Sequence, residues 1–382
     1  INPAIQHDCQ TTPTGYSITY NNSSYEDITV DTSAFYLNPT ATQGYTLTID
    51  CDGKTISKTF NIVDIKSSFI AMDNTPASSG SAVLACSAFT NNTTRTYYLV
   101  EDISCPAGFS AAGVPFNFKG ILYGNGHKVT GLNLSTDGDS TTDGFVWSIY
   151  RYGDHKGTGL FSKITAYSHN QTVAIYDLNI IAQQITATSG TAGSLYVGIL
   201  AGYLEGLREG SLTTKVIIDN VFAAGTVETS YSSNTYASLS DSGGLVGAME
   251  YAYITKSAAA VDITSVGTVG GLVGAAKDRY CTERVDGCAS IDTSNAAGTI
   301  QTTGTGIAGG VVGRLSYSHI RSSHAAVKVT GEYIVGGLVG EADYHSDIYK
   351  SYATGEVKAT NQFTNPIYLG GLVGKASFMN YI

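Results

Sequence analysis

The sequence predicts an all-β protein: a right-handed parallel β-helix, or solenoid, preceded by a small immunoglobulin-like β-sandwich. Three observations carry this. Only 14% of the residues are charged, too few for the Glu, Lys and Arg content of a helical bundle or coiled coil. Glycine is abundant and proline scarce, 44 against 7 in 382 residues, without the every-third-glycine period of collagen. A five-residue glycine motif then recurs through the C-terminal half, and a recurring unit decides the architecture. With 42% hydrophobic residues the chain can build a core, so disorder is excluded. The net charge of −10 repels phosphate and excludes a basic nucleic-acid surface.

Residues 1–70 read as the small sandwich. Tyr16-Ser-Ile-Thr-Tyr20 and Tyr45-Thr-Leu-Thr-Ile49 alternate at period two. Asp52-Gly53 has hairpin-turn chemistry and is followed by a strand from about Thr55 to Val63. The Trp expected between the two cysteines of an immunoglobulin domain is missing, since the single Trp is Trp147. Residues 71–95, with Asn74-Thr-Pro and Ser78-Ser-Gly-Ser, read as a linker or cap.

Residues 96–382 carry the repeat. Gly243-Gly-Leu-Val-Gly247 recurs at Gly270, Gly336 and Gly370, with Gly309-Gly-Val-Val-Gly313 as a variant, and the starts lie 27, 39, 27 and 34 residues apart. Gly198-Ile-Leu-Ala-Gly202 and Gly159-Leu-Phe161 are weaker relatives. Between the motifs, Ile254, Ser257, Ala259, Val261 and Ile263 align with Ile320, Ser323, Ala325, Val327 and Val329, and with Ile348, Ser351, Ala353, Gly355 and Val357. From the Ser onward the period is two, so these small or β-branched residues share one face of a strand. The Gly pair permits close backbone approach, and the Leu and Val form the apolar rung. One such unit cannot bury its apolar face alone, so neighbours must stack. The variable spacing disfavours a β-propeller, whose blades repeat regularly at about 40 to 45 residues. Coils of roughly 25 residues stacked about 4.8 Å apart give a rod on the order of 50 Å long.

These modules resemble the GLUG repeats of bacterial surface proteins. Tyr97-Tyr-Leu-Val-Glu-Asp-Ile103 and the segment from Phe118 to Leu132 look like the opening turns before such repeats. The resemblance covers residues 96–382 and implies a parallel β-helix at or outside the cell surface. GLUG repeats occur in adhesins, secreted enzymes and IgA-protease-like metallopeptidases, so the resemblance is specific for fold and not for activity. The chain stops at Ile382, where the next Ile-Ser-x-Ala strand is due. We expect either a fragment or processed chain, or an edge that pairs with another chain.

Catalytic motifs are missing. No HExxH occurs among the seven His, and no GxSxG, P-loop or GxGxxG is present. We therefore assign no catalytic residue, no cofactor and no enzyme activity. For an enzyme, the best cluster is Asp262, Glu283, Asp286 and Asp292 beside Lys277, Arg279 and Arg284. His127 in Gly124-Asn-Gly-His127 reads as part of a tight turn. Asp137, Asp139 and Asp143 form a weak calcium candidate that lacks the Gly and Glu of an EF-hand loop.

The six cysteines suggest an oxidising compartment, with pairs Cys9–Cys51, Cys86–Cys105 and Cys281–Cys288 chosen by proximity in sequence. Tyr is frequent, 26 against 12 Phe, and Tyr251, Tyr253, Tyr317, Tyr344 and Tyr349 follow the glycine motifs at similar places. They are the candidates for a surface that binds sugar rings or a neighbouring subunit, or for Tyr packing between coils. Six Asn-x-Ser/Thr sequons, at Asn21, Asn22, Asn91, Asn92, Asn133 and Asn170, matter only where secreted proteins are glycosylated. The sequence thus reads as a secreted or cell-surface adhesion or structural protein, with an extracellular filament subunit as one form of it. Its partners are itself, other extracellular proteins or glycans, without nucleic acid or a membrane span. The alternative is a carbohydrate-active enzyme, a polysaccharide lyase or hydrolase, on a β-helix.

Overall fold

A computed structural model describes residues 15–20, 25–26, 45–51, 54–60, 96–99, 101–105, 117–137, 145–146, 154–169, 171–189, 193–209, 212–231, 240–278, 288–360 and 367–378. The chain divides into two compact units, Ile1–Ile70 and Ala71–Ile382.

The first unit contains one antiparallel sheet of four strands, in the order Tyr25–Glu26, Gly15–Tyr20, Tyr45–Cys51, Lys54–Phe60. Tyr45–Cys51 and Lys54–Phe60 pair antiparallel with Cys51 opposite Lys54, the hairpin that the composition of Asp52-Gly53 predicts. A second sheet, which a sandwich needs, is not among the described residues.

Among the described residues the second unit is a solenoid of three large sheets, almost entirely parallel, with a small antiparallel pair, Leu207–Glu209 and Leu212–Thr214, beside them. One coil shows the plan. Asp241–Gly243 lies in an eight-stranded sheet, and the glycine motif turns the chain into Val246–Glu250 of a seven-stranded sheet. Ala252–Thr255 and Ala258–Ser265 then cross a broad fifteen-stranded sheet, and Thr268–Gly270 returns to the first. The opening segments enter the same broad sheet, Thr96–Tyr98 against Ile121–Tyr123 and Ile103–Ser104 against Lys128–Asp137. Along either half the broad sheet is eight strands deep, about 34 Å at the ordinary strand spacing. The rod is shorter than the sequence estimate because a coil takes 27 residues at its shortest, not 25, and insertions lengthen others.

Each residue of the glycine motif has a steric reason. A Cβ on Gly271 would overlap the carbonyl of Gly310, and one on Gly310 would overlap that of Gly337. The second glycines therefore form a column in which successive coils touch through backbone. The last glycine, at 247, 274, 313, 340 and 374, lies against the eight-stranded sheet: a Cβ on Gly274 would meet the backbone of Ser242. Between them Leu245, Leu272, Val311 and Leu338 are fully buried.

The period-two face is also as expected. Ala259, Val261 and Ile263 point inward while Ala260, Asp262 and Thr264 face outward. At its start runs a polar column inside the solenoid. The Ser257 amide donates to Ser294 Oγ (3.2 Å), Ser294 to Ser323 Oγ (3.1 Å) and Ser323 to Ser351 Oγ (3.1 Å). Each hydroxyl in turn donates to the carbonyl two residues back, as Ser294 does to Asp292 (2.7 Å). This satisfies amides at a bend where the preceding residues Lys256, Thr293, Ser322 and Lys350 hold φ of 48–49°. Ser294 belongs to the coil with the 39-residue spacing and extends the three-way sequence alignment to four.

Gly271→Ala should cost about 1–3 kcal/mol by overpacking, whereas Gly371→Ala, with nothing within 4 Å of the new methyl, should leave stability nearly unchanged. Urea unfolding of the two variants checks this. Ser294→Ala removes the acceptor of the buried Ser257 amide and should cost about 1–3 kcal/mol in the same assay.

Candidate functional site

The five candidate tyrosines occupy three positions along the coil. Tyr251, Tyr317 and Tyr344 share one corner, eight residues after the first glycine of their motifs, with Asp278 and Phe378 at the same corner of other coils. The four aromatic residues hold φ between 40° and 57°. Tyr317 and Tyr344 stack at 5.4 Å with planes 4° apart, and Tyr344 and Phe378 at 4.9 Å and 2°. Tyr344 is stacked on both faces and so presents its edges, whereas Tyr317 and Phe378 are each stacked on one face. Phe378, which the sequence reading omitted, is the most exposed of the three at 66%. Tyr251 is buried. Tyr253 and Tyr349 lie elsewhere, on the strands Ala252–Thr255 and Asp347–Tyr349, each beneath a lysine ammonium.

Asp278 replaces an aromatic residue at this corner, and it is buried. Its Oδ1 accepts the Tyr251 amide at 2.7 Å and its Oδ2 accepts the amide of Ala289. The carboxyl thus ties both ends of the insertion at 279–287 to the coil above. Burial pushes its pKa up to about 7, against the two amide hydrogen bonds and the nearby Lys215 and Arg208 that favour the carboxylate.

The proposed enzyme cluster does not converge among its described members. Asp262, on the outer face of the broad sheet, accepts from the Thr299 hydroxyl at 2.7 Å. Asp292 lies in another row and accepts from Thr293 and Tyr253. Lys277 is committed to the buried Asp241 at 3.2 Å. Arg279, Glu283, Arg284 and Asp286 lie outside the described residues, as do Asp139, Asp143 and the side chain of Asp137. Among the described residues no group of three or more His, Cys, Asp or Glu is placed to hold a metal ion, and no helix is long and apolar enough to cross a membrane. His127 closes a tight turn, its amide donating to Gly124 O (2.9 Å), with φ of 53° at Asn125 and 77° at Gly126. Cys105 and Cys288 are buried and neither is a free thiol. Cys9, Cys86, Cys281 and the side chain of Cys51 lie outside the described residues.

Sequence reasoning missed a cleft between the eight- and seven-stranded sheets. One wall is the register row Tyr196, Asp241, Thr268, Ile307, Ile334, Tyr368. The other is Tyr203, Ala248, Ala275, Arg314, Glu341, Lys375. Upstream, the Tyr196 and Tyr203 rings fill the space at 5.1 Å and pack with Ala248 and Ala275. Downstream it opens into a pocket of about 350 Å³, lined by Thr268, Thr305, Ile307, Tyr333, Ile334 and three charged residues. Those three form a chain across successive coils. Glu341 Oε2 accepts from Arg314 Nε (2.9 Å) and Nη2 (2.7 Å), and Oε1 from Lys375 Nζ (2.7 Å). Burial raises the pKa of the buried Glu341 carboxyl, but the two cations outweigh it and hold the group below its usual range. The signal was present in the sequence: the residue after the five glycine motifs runs Ala248, Ala275, Arg314, Glu341, Lys375.

The profile of the GLUG motif matches residues 331–358. No curated protein matches the chain. Among solved structures, a chain named IgA1 Protease is similar at TM-score 0.44 and 15% identity, over 92% of this chain and 29% of that one. The chain therefore spans less than a third of that protein's length.

Asp278 gives a pH prediction. Its folded pKa lies above the ordinary 3.8, so its stabilising protonation is fully present below about pH 4 and lost as pH rises through about 7. The melting-temperature difference between wild type and Asp278→Asn should therefore shrink from pH 4 to pH 8. A difference constant with pH contradicts the assignment.

Proposed function

From a GLUG-repeat protein whose parallel coils are stacked backbone on backbone, we propose a secreted or cell-surface protein that acts without bond chemistry. It is an adhesion or extracellular structural element, and the solenoid is its rigid spacer and binding surface. The single observation that carries this reading is the continuity of coil-to-coil contact, the glycine column and the serine column together, because a long lever needs stiffness along its axis. The lack of free thiols among the described cysteines agrees with an oxidising exterior.

Several finer points belong to the same proposal. The coil takes the right hand usual for crossovers between parallel strands. The disulfides are Cys9–Cys51, Cys86–Cys105 and Cys281–Cys288. The first unit is an immunoglobulin-like joint, and end-to-end association into a filament is one working state. A binding role is favoured over a polysaccharide lyase or hydrolase because Asp262 and Asp292 each already accept a neighbour's hydroxyl and sit in separate rows.

Immunolabelling of intact source cells, with electron microscopy of the purified protein, tests this. Label on the surface or in the medium, removable by external protease, is expected, with rods or regular fibres in the microscope. Label confined to the cell interior contradicts the proposal.

A further inference from the structure

The cleft downstream of Tyr196 and Tyr203 is built by the same two register rows that are closed upstream, so its opening follows from which side chains occupy them. Ring, Ala and Ala give way to Arg314, Glu341 and Lys375 on one wall. The resulting space, about 350 Å³, is at the small end of ligand pockets and fits one ring-sized unit. Its chemistry is mixed. Ile307 and Ile334 supply apolar surface, while Thr268, Thr305 and Tyr333 supply hydroxyls. Tyr368, next in the row after Ile334, meets the Tyr333 ring edge-on at 6.0 Å and carries the Lys375 ammonium over its face at 5.6 Å.

The charges decide which class of ligand fits. Arg314 and Lys375 are two cations and Glu341 is one carboxylate. Asp343, two residues further along the same strand, interacts electrostatically with both cations. Asp343 stands beside the lining and not in it, but its interaction with both cations offsets the one excess positive charge of Arg314, Glu341 and Lys375, which leaves the pocket little net field for a simple ion. What it offers is a row of charged donors and an acceptor held in place by their mutual ion pairs. Arg314 and Lys375 remain about a third exposed and have N–H groups beyond those given to Glu341. Fixed charged donors and acceptors form strong hydrogen bonds to neutral hydroxyls. An array of them beside aromatic and aliphatic surface matches a molecule with adjacent hydroxyls on one side and C–H groups on the other. The lining comes from four successive coils, each locked in parallel ladders, so little ordering is required on binding.

We propose that this pocket binds a single neutral pyranose residue of a glycan, its vicinal hydroxyls held by Arg314, Glu341 and Lys375 and its C–H face set against Tyr333. This deepens the binding role proposed above, and it names the sugar-recognising surface as the cleft instead of the tyrosine corner.

The test is saturation-transfer NMR on the whole chain with neutral hexoses, N-acetylhexosamines, hexuronic acids, acetate and phosphate. At least one neutral sugar should respond at millimolar concentration. Tyr333→Ala should weaken that response tenfold or more while the chain stays folded, the urea midpoint falling only by the lost edge-on contact with Tyr368. Arg314→Ala should abolish it, but this variant strips a partner from buried Glu341, so Tyr333→Ala is the variant that decides. No response from any neutral sugar overturns the proposal, as does a response confined to the anions or one that Tyr333→Ala leaves intact. Surface labelling is independent of this result: a chain found outside the cell that ignores sugars defeats the pocket alone, and one confined inside defeats the wider role.

Discussion

Successive coils of the solenoid meet through bare backbone, and this close approach governs what surrounds it. Where Gly271 lies against the Gly310 carbonyl there is no room for a methyl group. The motif is therefore confined to glycine at these places, and Leu and Val between them provide the apolar rung. Close approach also removes water, so every amide at the corners needs a protein partner. The serine column from Ser257 to Ser351 supplies partners at one bend, and Asp278 supplies them where an insertion interrupts another.

The same regularity gives the exterior its order. Positions equivalent in successive coils form straight rows, so chemistry repeats or changes in steps of one strand spacing. Tyr317, Tyr344 and Phe378 form one such row, in which stacking consumes both faces of Tyr344 and one face each of Tyr317 and Phe378. Arg314, Glu341 and Lys375 form another and consume part of their hydrogen-bonding capacity on each other. The first row leaves edges and the outer faces of its end rings. The second leaves donors facing a cavity, which is the better arrangement for recognising a small polar molecule.

Much of this was readable from residues. The glycine motif predicted the stacked coils, the Ser-x-Ala pattern predicted the inward face of the broad sheet, and Asp52-Gly53 predicted its hairpin. The opening segments also joined the solenoid, Thr96–Tyr98, Ile121–Tyr123 and Lys128–Asp137 in its broad sheet and Phe118 by a bridge to Ile164. The cleft was not read, although its residues occupy fixed offsets from the motif, because a change from Ala275 to Arg314 looks like ordinary surface variation until the facing row is known. Asp278 was missed for a related reason: its role depends on the amides of Tyr251 and Ala289, which only the coil register brings to it. The tyrosine positions were read too coarsely, since spacing alone does not separate a corner residue such as Tyr344 from a strand residue such as Tyr349.

Residue-resolved hydrogen exchange of the native chain tests the stacked-coil account most directly. The amides of Ser257, Ser294 and Ser323 bond to a hydroxyl of the next coil and lie outside the regular strand ladders. The account predicts protection equal to that of the core amides of Leu245 and Leu272. Exchange at these serines as fast as in an unstructured peptide, with the core amides protected, would contradict it.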